Sequence, residues 1–157
     1  MPNTLMATSP ADALNWLAGI LDLSNVRMKL ADPDEGKSRS NGQLDLAEQE
    51  YRRFLALHLA YPDADIVPCK LVDEIWHQHI LDTRAYHDDC DAVFGSYLHH
   101  FPYFGMRDKN DAQALKDAYS DTLDRYRQAF GEPPAGTWIS AQASKCKRTA
   151  CKPQKCH

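Results

Sequence analysis

An all-α fold, a compact bundle of at least four helices, is predicted by three features of this sequence. Apolar residues recur every three or four positions through most of the chain before Gly131, which is the period of an α-helix. No stretch alternates apolar and polar residues long enough to suggest a strand, and no internal repeat is present. The breaks between the periodic runs are rich in proline, glycine and aspartate, the residues of helix–loop–helix connections. At 157 residues, 43% hydrophobic and 25% charged, the chain has the size and composition of one globular domain.

The first helix is expected in "SPADALNWLAGILDL". Ser9 is placed to cap it, Pro10 fits its first turn, Asp12 favours its positive end, and Leu14, Leu17 and Leu21 share a face. Residues 31–42, "ADPDEGKSRSNG", are expected to form a loop. From Leu44 a second helix is carried by Leu46, Tyr51, Phe54, Leu55, Leu57 and Leu59, and it stops near Pro62. A third helical run enters after Pro68 and spans "CKLVDEIWHQHILDTRAYHDDC", with "DAVFGSYLHH" either continuing it or starting another. Pro102 forces a turn in "FPYFG". The last helix lies in "NDAQALKDAYSDTLDRYRQAF", capped by Asn110 or Asp111 and stopped by Gly131, and "GEPPAGTW" leads out of it. The domain is therefore placed at residues 1–140, with a separable tail at 141–157.

Charge is unevenly spread. The net charge is −4, yet residues 133–157 hold five basic side chains and no acidic one, which leaves −9 on residues 1–132. An acidic body argues against nucleic-acid binding by the fold itself. The apolar segment "ALNWLAGILDL" is too short to span a bilayer, and no cation precedes it before Arg27, so neither a membrane span nor a signal peptide is expected. The expected compartment is the cytoplasm, where the five cysteines would be thiols or metal ligands rather than disulfides. A protein partner stays open, and the oligomeric state is not indicated.

Five of the seven histidines lie between positions 77 and 100. Along a helix, residues 77 and 79 point about 160° apart, so one regular helix cannot bring both imidazoles to one ion. His79 falls in a stripe with Val72, Ile75, Trp76, Thr83, Tyr86 and Cys90, and is expected to be a buried, structural histidine, with Trp76, Tyr86 and Cys90 packed around it. Asp73 stands one turn before His77, close enough to orient its ring, and Arg84 is expected two turns beyond. The pair is either a surface contact or the carboxylate–imidazole unit of a metal-bound or proton-transferring histidine. His87 is expected in solvent beside Asp88 and Asp89. The His99–His100 pair sits at the Pro102 corner, the one place from which a second imidazole could reach His77.

The stretch "VDEIWHQHILDTRAYHDDCDAVFG" resembles the glycine-rich domain-containing protein-like family, in its bacterial, single-domain form, through Asp73, Trp76, His77, His79, Leu81, Tyr86, Asp89, Cys90 and Gly95. The resemblance covers roughly residues 44–105 and implies a fold region and a motif rather than a reaction.

Two metal candidates follow from the residue types. In the body, Asp73 and His77 with His99 or His100 offer imidazole and carboxylate ligands suited to Zn(II) or Fe(II), and Asp73 and His77 double as acid–base candidates. In the tail, Cys146, Cys151, Cys156 and His157 could clasp Zn(II) or Cu(I), although the four-residue gaps are wide for a zinc knuckle. The functional expectation is a small helical protein with a His/Asp polar site, used for divalent-metal binding or for acid–base or metal-dependent chemistry. The alternative is an interaction module with structural histidines, its thiol or metal chemistry confined to the tail. No phosphate loop, dinucleotide fingerprint, nucleophile elbow or HExxH motif is present, so no substrate is named and enzymatic activity stays undecided.

Overall fold

The computed structural model describes residues 8–139, so the tail from 141 onward, with Cys146, Cys151, Cys156 and His157, lies outside the described residues. Six helices and no strand are present among them: α1 (Pro10–Ile20), α2 (Ser24–Ala31), α3 (Asn41–Ala60), α4 (Lys70–Leu81), α5 (Thr83–Phe94) and α6 (Lys109–Phe130). None of these helices is long and apolar enough to cross a membrane.

The central helix is α3, which packs mainly on α1 and α4. Its buried face carries Leu44, Ala47, Tyr51, Phe54, Leu55 and Leu57, the 3–4 spacing that buries one side of a helix. It begins three residues before Leu44. There the Ser40 hydroxyl accepts from the Gln43 N–H, and the Gln43 side chain accepts from the Ser40 N–H, so two otherwise orphaned donors are satisfied. Helix α1 starts as its sequence dictates, with Asp12 N–H donating to Ser9 Oγ and Pro10 in the first turn.

Helix α2 has no counterpart in the sequence reading. It is eight residues long, lacks a side-chain cap, and buries only Val26 and Leu30. Two apolar residues one turn apart are too weak a signal, and packing on α3 and α4 supplies the stability that propensity does not. Arg27 fastens it by ion pairs to Asp45 and Glu48 of α3.

The third helical run is also corrected, because it is two helices. The chain breaks at Asp82 (φ −81°, ψ 75°), whose N–H closes a tight turn onto the His79 carbonyl and whose carboxylate accepts from Ala85 N–H to cap α5. Thr83 and Arg84 are consequently exposed and leave the faces that a continuous helix would give them. Tyr86 and Cys90 remain buried, because α5 turns its own apolar side back to the core. Helix α6 is capped by Asp108 rather than by Asn110 or Asp111, and ends at Gly131 with φ 79°. Asp111 instead accepts from Gly105 N–H and pairs with Arg107.

Two devices fix the segments that flank the site. Gly105, at φ 87°, lies so close to the Leu115 side chain that a Cβ would collide with it, which seats the "FPYFG" corner on α6. On the opposite side, the fully buried Glu50 of α3 accepts through one oxygen from Tyr126 Oη (2.5 Å) and Trp138 Nε1 (2.9 Å), and through the other from Arg53 and Gln49. This network ties α3, α6 and the exit segment together, and nothing in the sequence reading singled Glu50 out.

Candidate metal centre

Helix α4 positions Asp73 and His77 one turn apart, with Asp73 Oδ1 3.1 Å from His77 Nε2. The third group comes from the irregular segment after α5. His100 Nε2 lies 2.8 Å from His77 Nε2 and 3.0 Å from Asp73 Oδ1. Three ligand-capable atoms therefore form a near-equilateral triangle. Their side chains are only 10%, 14% and 6% exposed for His77, Asp73 and His100.

A short chain of contacts holds His100 in place. The Trp76 indole N–H donates to the Tyr86 hydroxyl (3.0 Å), and that hydroxyl donates to the Leu98 carbonyl two residues before His100. The Trp76 ring then packs on the His100 ring at 4.4 Å between centroids. Trp76 and Tyr86 thus belong to the scaffold of the cluster, one from each side of the Asp82 break.

Hydrogen bonding accounts for two edges of this triangle at most. A proton on one Nε2 can point along one edge, not two, since the edges diverge by about 60° and a good bond needs an angle above about 150°. Protonating both Nε2 atoms lets each N–H donate to Asp73 Oδ1 but leaves the two nitrogens 2.8 Å apart with no bond between them. Deprotonating both sets lone pair against lone pair. Each of the three atoms can serve as a ligand to one cation, since imidazole nitrogen and carboxylate oxygen are both metal donors. The spacing carries further information. Ligands about 2.1 Å from an ion lie about 3.0 Å apart at octahedral right angles and about 3.4 Å apart at tetrahedral angles. The edges of 2.8, 3.0 and 3.1 Å are hydrogen-bond lengths, and they lie nearer the octahedral value than the tetrahedral one.

Asp73 and His77 also line a groove of about 560 Å³ between the 31–40 loop, α4 and the exit segment. His99 does not join the cluster; it is exposed and packs on Tyr97 at 4.8 Å. Of the two corner histidines, the structure brings only His100 to His77. Arg84, expected on the His77 face, is exposed on α5 beyond the break.

His79, two residues from His77, lies in a separate cluster. Its Nδ1 meets Tyr51 Oη at 2.8 Å, its Nε2 meets Asp89 Oδ2 at 2.7 Å, and Tyr86 packs edge-on at 4.9 Å. Burial lowers its pKa, and the Asp89 carboxylate opposes that shift. Asp89 was expected in solvent beside His87. The Asp82 break re-aims α5 so that Asp89 reaches His79, while His87 stays exposed. The aspartate preceding "TRAYHDD" was a usable cap signal for that break. Cys90 and Cys69 are buried free thiols, with Cys69 pushed up to about 12 by burial, so neither offers a ready thiolate.

A family model described only as UCP032817-like matches residues 25–125, from α2 into α6 and across all three members of the triangle. No curated protein and no solved structure matches the chain. The match spans more than half of the chain, which therefore belongs to the UCP032817-like family. It replaces the glycine-rich domain-containing protein-like family suggested by the tryptophan–histidine motif, whose residues are accounted for here by the packing of Trp76, His79 and Tyr86.

Proposed function

We propose that this protein binds a divalent transition-metal ion through Asp73, His77 and His100 and presents its open coordination positions to a ligand in the adjoining groove. The observation that carries the reading is the triangle itself: two imidazole nitrogens and a carboxylate oxygen 2.8–3.1 Å apart, largely enclosed beside the groove. Two histidines and one carboxylate on one octahedral face suit Fe(II), Mn(II) or Co(II) better than tetrahedral Zn(II). Three protein ligands leave positions for water or substrate, the arrangement of a reactive rather than a purely structural ion. An ion bound there would polarise an oxygen of the groove ligand or acidify a coordinated water. Asp73 would then be a ligand and not a free base.

Titration of the full-length chain with Co(II) tests this. The expected spectrum is weak, with the bands of a nitrogen–oxygen octahedral site, and lost in His77→Ala and His100→Ala. Intense sulfur-to-cobalt charge transfer that survives both substitutions would assign the metal to cysteine and overturn the reading. So would the absence of any cobalt binding.

A further inference from the structure

The groove beside the triangle holds a specific pattern of charge. Three cations line it, Lys37, Arg39 and Lys70, with three carboxylates, Glu35, Asp73 and Glu74. Arg39 and Glu74 neutralise each other through two bonds of 2.9 and 2.7 Å, and Glu35 pairs with Lys29 at 3.1 Å. Among the described residues no carboxylate pairs with Lys37 or Lys70. With the Arg39–Glu74 and Lys29–Glu35 pairs set aside, Lys37, Lys70 and Asp73 leave the lining one positive charge before a divalent ion binds and three afterwards.

We infer that the groove takes a small dicarboxylic acid, one carboxylate on the metal and the other on Lys70 and Lys37. The inference rests on the metal reading above and specifies its ligand. Charge sets the first requirement, because a dianion offsets more of this positive charge than a monoanion does. Length sets the second. Lys70 stands about one turn before Asp73 and two turns before His77 on α4, and all three line the groove, so a short linker between the two carboxylates is expected. The walls set the third. Leu30, Leu71, Leu81 and Ile139 are aliphatic, and apart from the His77 imidazole no aromatic ring lines the groove to stack a base or an arene. Methylenes fit such walls; nucleobases find no platform there.

Calorimetric titration of the Mn(II)-loaded full-length chain with succinate and glutarate tests the inference, with butyrate, pentanoate and inorganic phosphate as comparators. Manganese occupancy is read in each sample from the loss of the free-ion electron-spin signal. The dicarboxylates should bind at least about tenfold more tightly than the monoacids of equal length, and Lys70→Gln or Lys37→Gln should remove most of that advantage, as expected for losing one charge-assisted contact. Equal affinity for mono- and dicarboxylates, phosphate binding as tightly as glutarate, or no response to either lysine substitution would overturn the inference. With manganese bound, those outcomes leave the metal reading standing. A chain that binds no manganese at all removes both.

Discussion

Two histidines two residues apart on α4 meet opposite fates. His79 has one partner for each ring nitrogen, Tyr51 on one side and Asp89 on the other, and every donor can find an acceptor. His77 shares a single point with His100 and Asp73, where three atoms compete for fewer protons than they have edges. The first cluster is complete without a ligand; the second is the one that the proposed metal ion would complete. Burial alone does not separate them, since both rings are enclosed. The pairing of donors and acceptors does, and it is the ground on which stability is read for one cluster and binding is proposed for the other.

Metal affinity should expose the largest difference. His77→Ala is expected to weaken Mn(II) or Co(II) binding by about a thousandfold, roughly 4 kcal/mol, and His79→Ala by less than about tenfold. Titration of both variants side by side checks this. Equal losses would merge the two clusters into one site.

Acid should act on the satisfied side of the molecule. His58 is enclosed by Phe54, Trp76 and Phe94 with its Nε2 unbonded, and burial lowers its pKa from an ordinary 6.5 to about 4. His79 is lowered too. Both histidines resist protonation when folded, so the unfolded chain binds more protons. The His58 contribution is complete above about pH 6.5 and disappears as the pH falls towards 4, and that of His79 falls in the same direction. For His58 the loss is roughly 3 kcal/mol. Urea unfolding from pH 7 to 4.5 should show the decline, and His58→Leu should flatten it. A slope unchanged by that substitution would place the acid sensitivity elsewhere.

Stability should then invert the ranking of the two α4 histidines. His79→Ala strips a buried ring from Tyr51 and Tyr86 and leaves the Tyr51 hydroxyl without its partner, a loss of about 2–3 kcal/mol. His77→Ala leaves Asp73 and His100 still paired at 3.0 Å, and should cost less than about 1 kcal/mol in metal-free protein. Denaturant melts with a chelator present measure both. A smaller effect than that of His79→Ala is expected for Asp89→Asn, about 1 kcal/mol, because the amide can still meet His79 but no longer carries charge. A loss there as large as that of His79→Ala would mean that the carboxylate, not the ring packing, holds the cluster.

The sequence by itself determined the helical class, the caps at Ser9 and Gly131, and the separation of His77 from His79, because each depends on a few neighbouring residues and on the 100° rotation of a helix. It also marked the Pro102 corner as a source of a second imidazole. Tertiary structure decided what local pattern could not. The break at Asp82 turns Asp89 from solvent to His79 and moves Arg84 away from His77, since α5 follows its own packing and not the phase of α4. The choice of His100 over its neighbour His99 depends on Trp76 and on the Leu98 carbonyl held by Tyr86. Glu50, the most deeply bonded carboxylate described, meets Tyr126 and Trp138 from 76 and 88 residues away. A helix period reports which face is apolar, and carries nothing about which distant polar atom will be brought to that face. That is fixed only when the chain closes on itself.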